Sequence, residues 1–349
     1  MKTIKLAILS LALTVSTNSF AQFEDFLLGG AEDANVLFGH YMTPFLKGMG
    51  YGFNNGWYNT AKPHESFGFD ITLSFNAAIV PEVDQAFEFV ASEYNFTRIQ
   101  SGPTTLPTLM GNNSTSVLEN YINQQDLDPN LPPGEVVVGN YGAPDGIADD
   151  LKGYGINQVA VPSPIVQVGL GLFKGTEIKV RWLPTITSDD FNYKYFGIGG
   201  MHSISQWLPV LKDMDFLDIS AFVGYTKISA GYNIPAGNIA GVNQSAIFEV
   251  NTLTYQILAS AHISVITGYI GLGMDNFTTT FQMLGTYDIY PNEPLVPALV
   301  DPIDLRAEGH GSFRTTLGAR LKLAILTLHF DYTIREYNTM TAGLGFSFR

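Results

Sequence analysis

The chain has 349 residues, 35 glycines, no cysteine, 18 lysines and arginines against 32 acids, and a net charge of -14. The missing cysteine excludes a disulfide framework, cysteine-ligated zinc, a thiol nucleophile and an acylated lipoprotein anchor. The acidic balance excludes nucleic acid as a partner, because nothing could neutralise a phosphate backbone. Only 14% of residues are charged while 13% are aromatic, which is unusual for a soluble domain.

Residues 1–21 read as an export signal. Lys2 and Lys5 precede an apolar run from Leu6 to Val15, and Ser19-Phe20-Ala21 offers small residues where a signal peptidase cuts. That run is too short to span a bilayer, which takes about 20 residues. From Phe23 to Lys47 the spacing turns helical: Phe26, Leu27, Ala34, Phe38 and Tyr41 share a face, with Glu24, Asp25, Glu32 and Asp33 elsewhere. Residues 22–45 are therefore expected to form a short helix that either caps the periplasmic mouth of a larger domain or plugs its lumen and gates a pathway.

Most of the chain from 46 to 349 alternates with period two. Phe67, Phe69, Ile71, Leu73, Phe75, Ala77 and Ile79 alternate with small or polar residues. The same alternation recurs at Val166-Val168-Leu170 and at Ile178-Val180-Trp182. Near the C-terminus it runs through Phe313 to Leu323, Leu326 to Ile334 and Met340 to Phe348. Strands this long suit a tilted crossing of a bilayer, and a secreted sandwich would carry more charge on its wet face. The fold class expected is all-β, a transmembrane antiparallel β-barrel of 12–14 strands.

Twelve candidate strands fall near 46–54, 66–80, 86–99, 163–174, 176–184, 193–201, 216–228, 247–259, 263–275, 310–322, 325–336 and 339–348. Long outer loops are then expected at 100–162, 229–246 and 276–309, rich in turn-forming residues. Phe277 to Tyr287 also alternates, with Asp275-Asn276 a possible tight turn, which would raise the count to fourteen.

Alternation directs a set of charges inward: Glu177, Lys179, Arg181, Arg314, Arg320, Lys322, His329, Asp331 and Arg335. A lysine or arginine facing lipid at mid-depth would cost about 2–4 kcal/mol. Inside, these charges either fill a narrow barrel with ion pairs or form a constriction that selects solutes. Trp57, Tyr58, Trp182 and Trp207 suit interfacial aromatic girdles.

Catalytic signals are poor. No nucleophile elbow, zincin helix or phosphate loop appears, and the six histidines lack metal-ligand spacing. Ser312, His329 and Asp331 on neighbouring strands are the sole hydrolase-like trio. Asp145, Asp149 and Asp150 lack the regular oxygen spacing of a calcium loop. No catalytic residue, cofactor or metal is expected, and the protein is not expected to be an enzyme.

Three segments carry a resemblance. Thr341 to Phe348 (TAGLGFSF), with Thr341, Gly343, Phe346 and Phe348 in register, is similar to the terminal signal read by the barrel-assembly machinery, although Arg349 follows the final aromatic. Gly50 to His64 (GYGFNNGWYNTAKPH) with Gly68-Phe69-Asp70, and Gly169 to Pro184 (GLGLFKGTEIKVRWLP), resemble an uncharacterised outer-membrane barrel family of Bacteroidota. The layout is loosely similar to long-chain fatty-acid transporters with an N-terminal plug. The resemblance implies a bacterial outer-membrane barrel in contact with lipid. The function expected is passive transport of a small molecule, hydrophobic ones included. The alternatives are a closed barrel with a structural or partner-docking role and, more remotely, a membrane-embedded lipid hydrolase.

Overall fold

The computed structural model describes residues 26–188, 190–209, 214, 216–235, 240–290 and 297–348, so the export signal expected at 1–21 lies outside the described residues. A 24-residue helix, α1 (Gly30–Phe53), comes first. Ten long strands follow: β1 (Phe69–Ile79), β2 (Ala160–Gly171), β3 (Thr176–Thr187), β4 (Phe191–Ser203), β5 (Leu217–Asn233), β6 (Gly241–Ile263), β7 (Ile266–Tyr287), β8 (Ile303–Leu323), β9 (Leu326–Ile334) and β10 (Thr339–Phe348). Each pairs antiparallel with its chain neighbours, and β1 pairs with β10 from Phe69↔Phe348 to Ala78↔Thr339. The sheet closes on itself as a barrel.

The barrel class is as expected, but the ring counts ten strands rather than twelve to fourteen. Two candidates drop out. Residues 46–54 alternate Met49, Tyr51 and Phe53 with Gly48, Gly50 and Gly52, which mimics a strand, yet they are the last turns of α1. The glycines are there because the wall presses on the helix. A Cβ on Gly48, Gly50 or Gly52 would fall 2.4, 2.3 or 2.1 Å from Val161, Phe277 or Ser163 respectively. Residues 86–99 hold only short strands of an external layer, 86–88 paired with 105–107 and 97–101 in a small sheet with 117–123 and 135–142.

The two ends of the barrel differ. At the end where β1 starts and β10 stops, the connections are 172–175, 204–216, 264–265 and 324–325. At the other end lie 80–159, 188–190, 234–240, 288–302 and 335–338. Much of the loop sequence expected at 229–246 and 276–309 is strand, because β5 to β8 project beyond the rest of the wall.

The polarity of the wall inverts along these projections. Lower on β7, Ile270, Leu272 and Met274 face out while Thr267 and Asp275 face in; higher up, Phe277 and Met283 are buried within. On β8 an extra residue shifts the register between Asp275↔Ser312 and Phe277↔Gly309, where Gly311 has φ +61°. This bulge moves the outward set from Phe313 and Leu317 to Arg306, Glu308 and His310. Below it the outer surface is a belt of exposed apolar side chains, including Ile71, Leu73, Phe75, Val180, Ile198, Ile257, Leu272, Phe330 and Phe346. A contiguous apolar band of this kind is not sustained in water.

The N-terminal helix is inside the barrel. Its first half lies at the long-loop end. Asp33 there accepts hydrogen bonds from the Asn95 and Phe96 amides, both 2.8 Å, and Tyr41 Oη donates to the Asp145 carbonyl at 2.8 Å. Phe26, Leu27, Leu37, Phe38 and Tyr41 join Leu106, Leu118, Tyr287, Ile303 and Leu305 in one apolar core. From Phe53 the chain continues through the lumen to the other end, where the Phe67 amide donates to the Gly171 carbonyl at 2.9 Å before β1 begins. A ten-stranded ring is only slightly wider than the smallest barrels, whose interiors side chains alone fill, so one chain segment occupies it.

Candidate functional site

Charged side chains on the inward face of the wall crowd around the threaded segment. Arg181, Arg314, Arg335, Glu177, Lys179, His329 and Asp331 are buried, and Arg320 and Lys322 are half-buried. Alternation along β3, β8 and β9 is what aims them at the threaded segment.

Three arginines, on β3, on β8 and just past the end of β9, converge on the end of α1. Helix termini leave their last carbonyls without partners and concentrate partial negative charge there. Arg335 Nη2 donates to the Tyr51 carbonyl at 2.6 Å, Arg181 Nη1 to that of Phe53 at 2.8 Å, and Arg314 Nη1 to that of Asn54 at 3.1 Å. Asn55 is held from both sides: its carbonyl by Arg181 Nη2 at 2.5 Å, and its side-chain oxygen by Arg314 at 2.8 Å and Arg335 at 3.0 Å. The Arg181 guanidinium also stacks on Trp57, 3.4 Å from the ring centroid.

Asp275 on β7, fully buried, is shared by Arg314 and Arg335. Among the described residues Arg181 has no carboxylate in ion-pair range; carbonyls, Gln167 and the indole face receive it. Arg181, Arg314 and Arg335 are thus neither rungs of a plain ion-pair ladder nor an open charged ring. They clamp a helix terminus.

A second cluster lies nearer the short-turn end. His64 Nδ1 and its amide both meet Glu177 Oε2 at 3.0 Å, Lys179 pairs with Glu177, and Asp70 lies 4.0 Å from Lys179 Nζ. His64, Asp70 and Glu177 bring ligand-type atoms within 4.8 Å of one another, although the histidine spacing gave no sign of it. The Lys179 ammonium already supplies the positive charge there, and a divalent ion would have to displace it. Asp331 accepts from Tyr269 Oη at 2.9 Å. Arg320 reaches Asn59 and Lys322 reaches Ser347, both at 3.1 Å.

The interfacial position expected of Trp57 and Tyr58 is corrected, whereas the serine–histidine–aspartate and calcium sets were not expected to form sites. Ser312 sits against Tyr51 Oη, above the β8–β9 pairing that places His329 opposite Arg320, so Ser312, His329 and Asp331 do not assemble. Trp57 and Tyr58 are lumenal, 1% and 6% exposed, because they follow the clamped helix; Trp182 and Trp207 are exposed on the outside. Asp145 and Asp149 hold the Ser114 and Asn113 amides at 2.7 and 2.9 Å, which organises the external layer. In the terminal strand Thr341 and Gly343 face in and Phe346 and Phe348 face out. A Cβ on Gly343 would lie 2.0 Å from the His329 ring, so the glycine is a packing requirement of this barrel.

The wall has one incomplete joint. β2 pairs with β1 over its whole length, from Phe69↔Leu170 to Ile79↔Ala160, but with β3 only over Gln167–Gly171 against Glu177–Arg181. Above that level Trp182, Leu183, Ile186 and Thr187 pair with β4 alone. The sequence explains the gap. Pro162 and Pro164 lack amide donors and, being two apart, lose them on the same edge; Pro184 interrupts β3 opposite, where the β3–β4 register also shifts. Outside the joint Pro164, Pro184 and Trp182 are exposed; inside, Phe53, Ile165 and Tyr195 are buried against one another with Leu183 beside them. This apolar seam runs between the lumenal helix and the outer belt, at the level where Phe75 pairs with Pro164. The Pro-x-Pro in an otherwise strand-like run was its signal in the sequence.

The chain belongs to a family of unknown function (DUF6588), whose profile matches residues 1–348. No curated protein matches the sequence. In fold it is similar to the translocator domain of the autotransporter NalP from Neisseria meningitidis, with 8% identity, a TM-score of 0.30, and 82% of this chain and 90% of that one covered. It is similar to a FadL homologue from Pseudomonas aeruginosa, with 13% identity, a TM-score of 0.28, and 78% and 61% covered. The outer membrane protease OmpT from Escherichia coli matches at 9% identity and a TM-score of 0.27, with 81% and 96% covered.

Proposed function

We propose that this member of the family is a barrel of the bacterial outer membrane that passively passes a small hydrophobic molecule between its interior and the bilayer through the seam joining β2 and β3. The observation that carries this reading is the seam itself, an interruption of the ladder flanked by three prolines and backed by buried apolar side chains. The apolar outer belt supports a membrane setting, and strands that long supply the tilted crossing. The terminal Thr341, Gly343, Phe346 and Phe348 pattern supports handling by the barrel-assembly machinery.

The lumen supports a lateral rather than an axial route. The clamped helix and the segment after it fill the axis, whereas at the seam no ladder joins β2 to β3 and the side chains of Leu183, Ile165 and Phe53 stand behind the gap. A second reading, a closed barrel that docks a partner on the layer formed by 80–159, is favoured by the same filled lumen.

The chain has no cysteine, so Val166→Cys with Trp182→Cys places a reactive pair across the first unpaired level of the seam. Cells expressing the protein should take up an apolar fluorophore faster than vector controls, and a short reversible thiol cross-link should abolish the gain until it is reduced. Uptake equal to the vector control, or unaffected by cross-linking, would overturn the transport reading and leave the docking barrel.

A further inference from the structure

At the short-turn end a cavity of about 180 Å³ opens between the threaded segment and the wall, lined by Thr60, Lys62, Asp218, His262, Arg320 and Lys322 with the turn at Ser264 and Val265. Three of these side chains are cations. Among the described residues none of the three has a carboxylate within 4.0 Å. Asp218 is the one acid on the lining, and it lies 3.9 Å from His262. Arg320 spends one nitrogen on Asn59, while its Nε is buried with no hydrogen-bond partner. A buried guanidinium N–H without an acceptor is costly unless something fills the place. Among the described residues the Lys322 ammonium makes a single hydrogen bond, to Ser347, and Lys62 is exposed. Thr60, Thr267 and Ser264 add hydroxyls around the same space.

Such a set suits an oxyanion: a guanidinium, two ammonium groups as mobile charges, and hydroxyls for the remaining lone pairs. We propose that this mouth binds a phosphate-sized oxyanion, with Arg320, Lys322 and Lys62 as the binding residues. The inference is independent of the seam. Two sources share this chemistry. One is a soluble phosphate compound entering from the aqueous side. The other is the phosphate of a phospholipid, because exposed Ile263, Val265 and Ile266 place the turn beside the cavity in the outer apolar belt.

The test uses the full chain in uncharged detergent at low salt, titrated calorimetrically with inorganic phosphate. Saturable binding is expected. Lys62→Gln and Arg320→Gln should each weaken it by about tenfold or more, the worth of one charge-assisted contact. Lys174→Gln, on the exposed β2–β3 turn outside the cavity, should leave it unchanged. In a second arm, nanodiscs of phosphatidylethanolamine with or without phosphatidylglycerol are examined by native mass spectrometry. Phosphatidylglycerol retained by the unsubstituted protein and lost from Lys62→Gln identifies the lipid headgroup as the source; phosphate binding without lipid retention identifies a soluble one. Failure to bind either, or binding undiminished in both Lys62→Gln and Arg320→Gln, overturns the proposal. Lys62 is exposed and its ammonium bonds to nothing described, so its substitution leaves the fold intact and separates loss of binding from misfolding.

Discussion

The clamp on α1 makes a quantitative prediction at Asp275. Asp275→Asn keeps the size and one carbonyl oxygen of the side chain but removes the one carboxylate that, among the described residues, Arg314 and Arg335 share. Removing one partner of a buried ion pair costs about 3–5 kcal/mol. Here both guanidiniums keep their hydrogen bonds to Tyr51, Asn54 and Asn55, so the lower end, about 3 kcal/mol, is expected. That is more than a hundredfold in the folded-to-unfolded ratio, roughly. The measurement is urea unfolding of the refolded barrel in detergent, followed by heat-dependent gel mobility and by Trp57 fluorescence in a Trp182→Phe, Trp207→Phe background. Trp57 reports on the clamp directly, because its ring lies under Arg181. Asp331→Asn is the control, since Asp331 accepts from Tyr269 rather than from an arginine pair, and about 1 kcal/mol is expected. A loss below about 1 kcal/mol at Asp275, or equal losses at the two positions, would refute the view that arginine charge on the helix end fixes the plug.

Other parts of the barrel give further expected outcomes. Pro162→Ala with Pro164→Ala restores two donors on the β2 edge facing β3, so the ladder should extend and uptake of the apolar probe should fall while thermal stability rises. Gly343→Ala drives a methyl into the His329 ring and should cost about 1–3 kcal/mol, read as a lower heat-modifiable fraction. His329→Ala should recover most of that loss, because it removes the obstructing ring. In the β9–β10 connection, partial burial opposes ionisation of Glu336, but hydrogen bonds from Tyr51 and then Lys47 outweigh it and hold the carboxyl below the usual glutamate range. A depressed carboxyl stabilises above its unfolded pKa and loses that contribution as pH falls through the folded value. Acidification should therefore loosen the helix at Lys47 and Tyr51, seen as faster proteolysis between 40 and 50, and Glu336→Gln should flatten that pH dependence.

The barrel wall was legible because alternation is a local property. Each of Phe69, Ile71, Leu73 and Phe75 reads outward from its own neighbours, and Arg181, Arg314 and Arg335 read inward by the same rule. The misread segment, 46–54, failed for a physical reason: glycine at every second position looks like a polar strand face, yet here it marks where a helix touches a wall that only the closed ring supplies. The strand count erred with it, and again at 86–99, where short apolar alternation serves an external layer. Asp275 looked like a turn residue until β7 ran on through it. The prolines at 162, 164 and 184 were visible, but their meaning depended on which strand faced the edge they left without donors.

Period two and the cost of charge against lipid were enough to read the class of fold and the two faces of the strands at 69–79, 166–171, 178–182, 313–323, 326–334 and 340–348. Tertiary structure alone decided that the N-terminal segment threads the lumen, that Arg181, Arg314 and Arg335 meet at one helix end, and that the wall has a seam. Each of those depends on ring closure, which brings residues more than 200 positions apart within hydrogen-bond reach, as with Asn54 and Arg314, and no local pattern encodes such a distance.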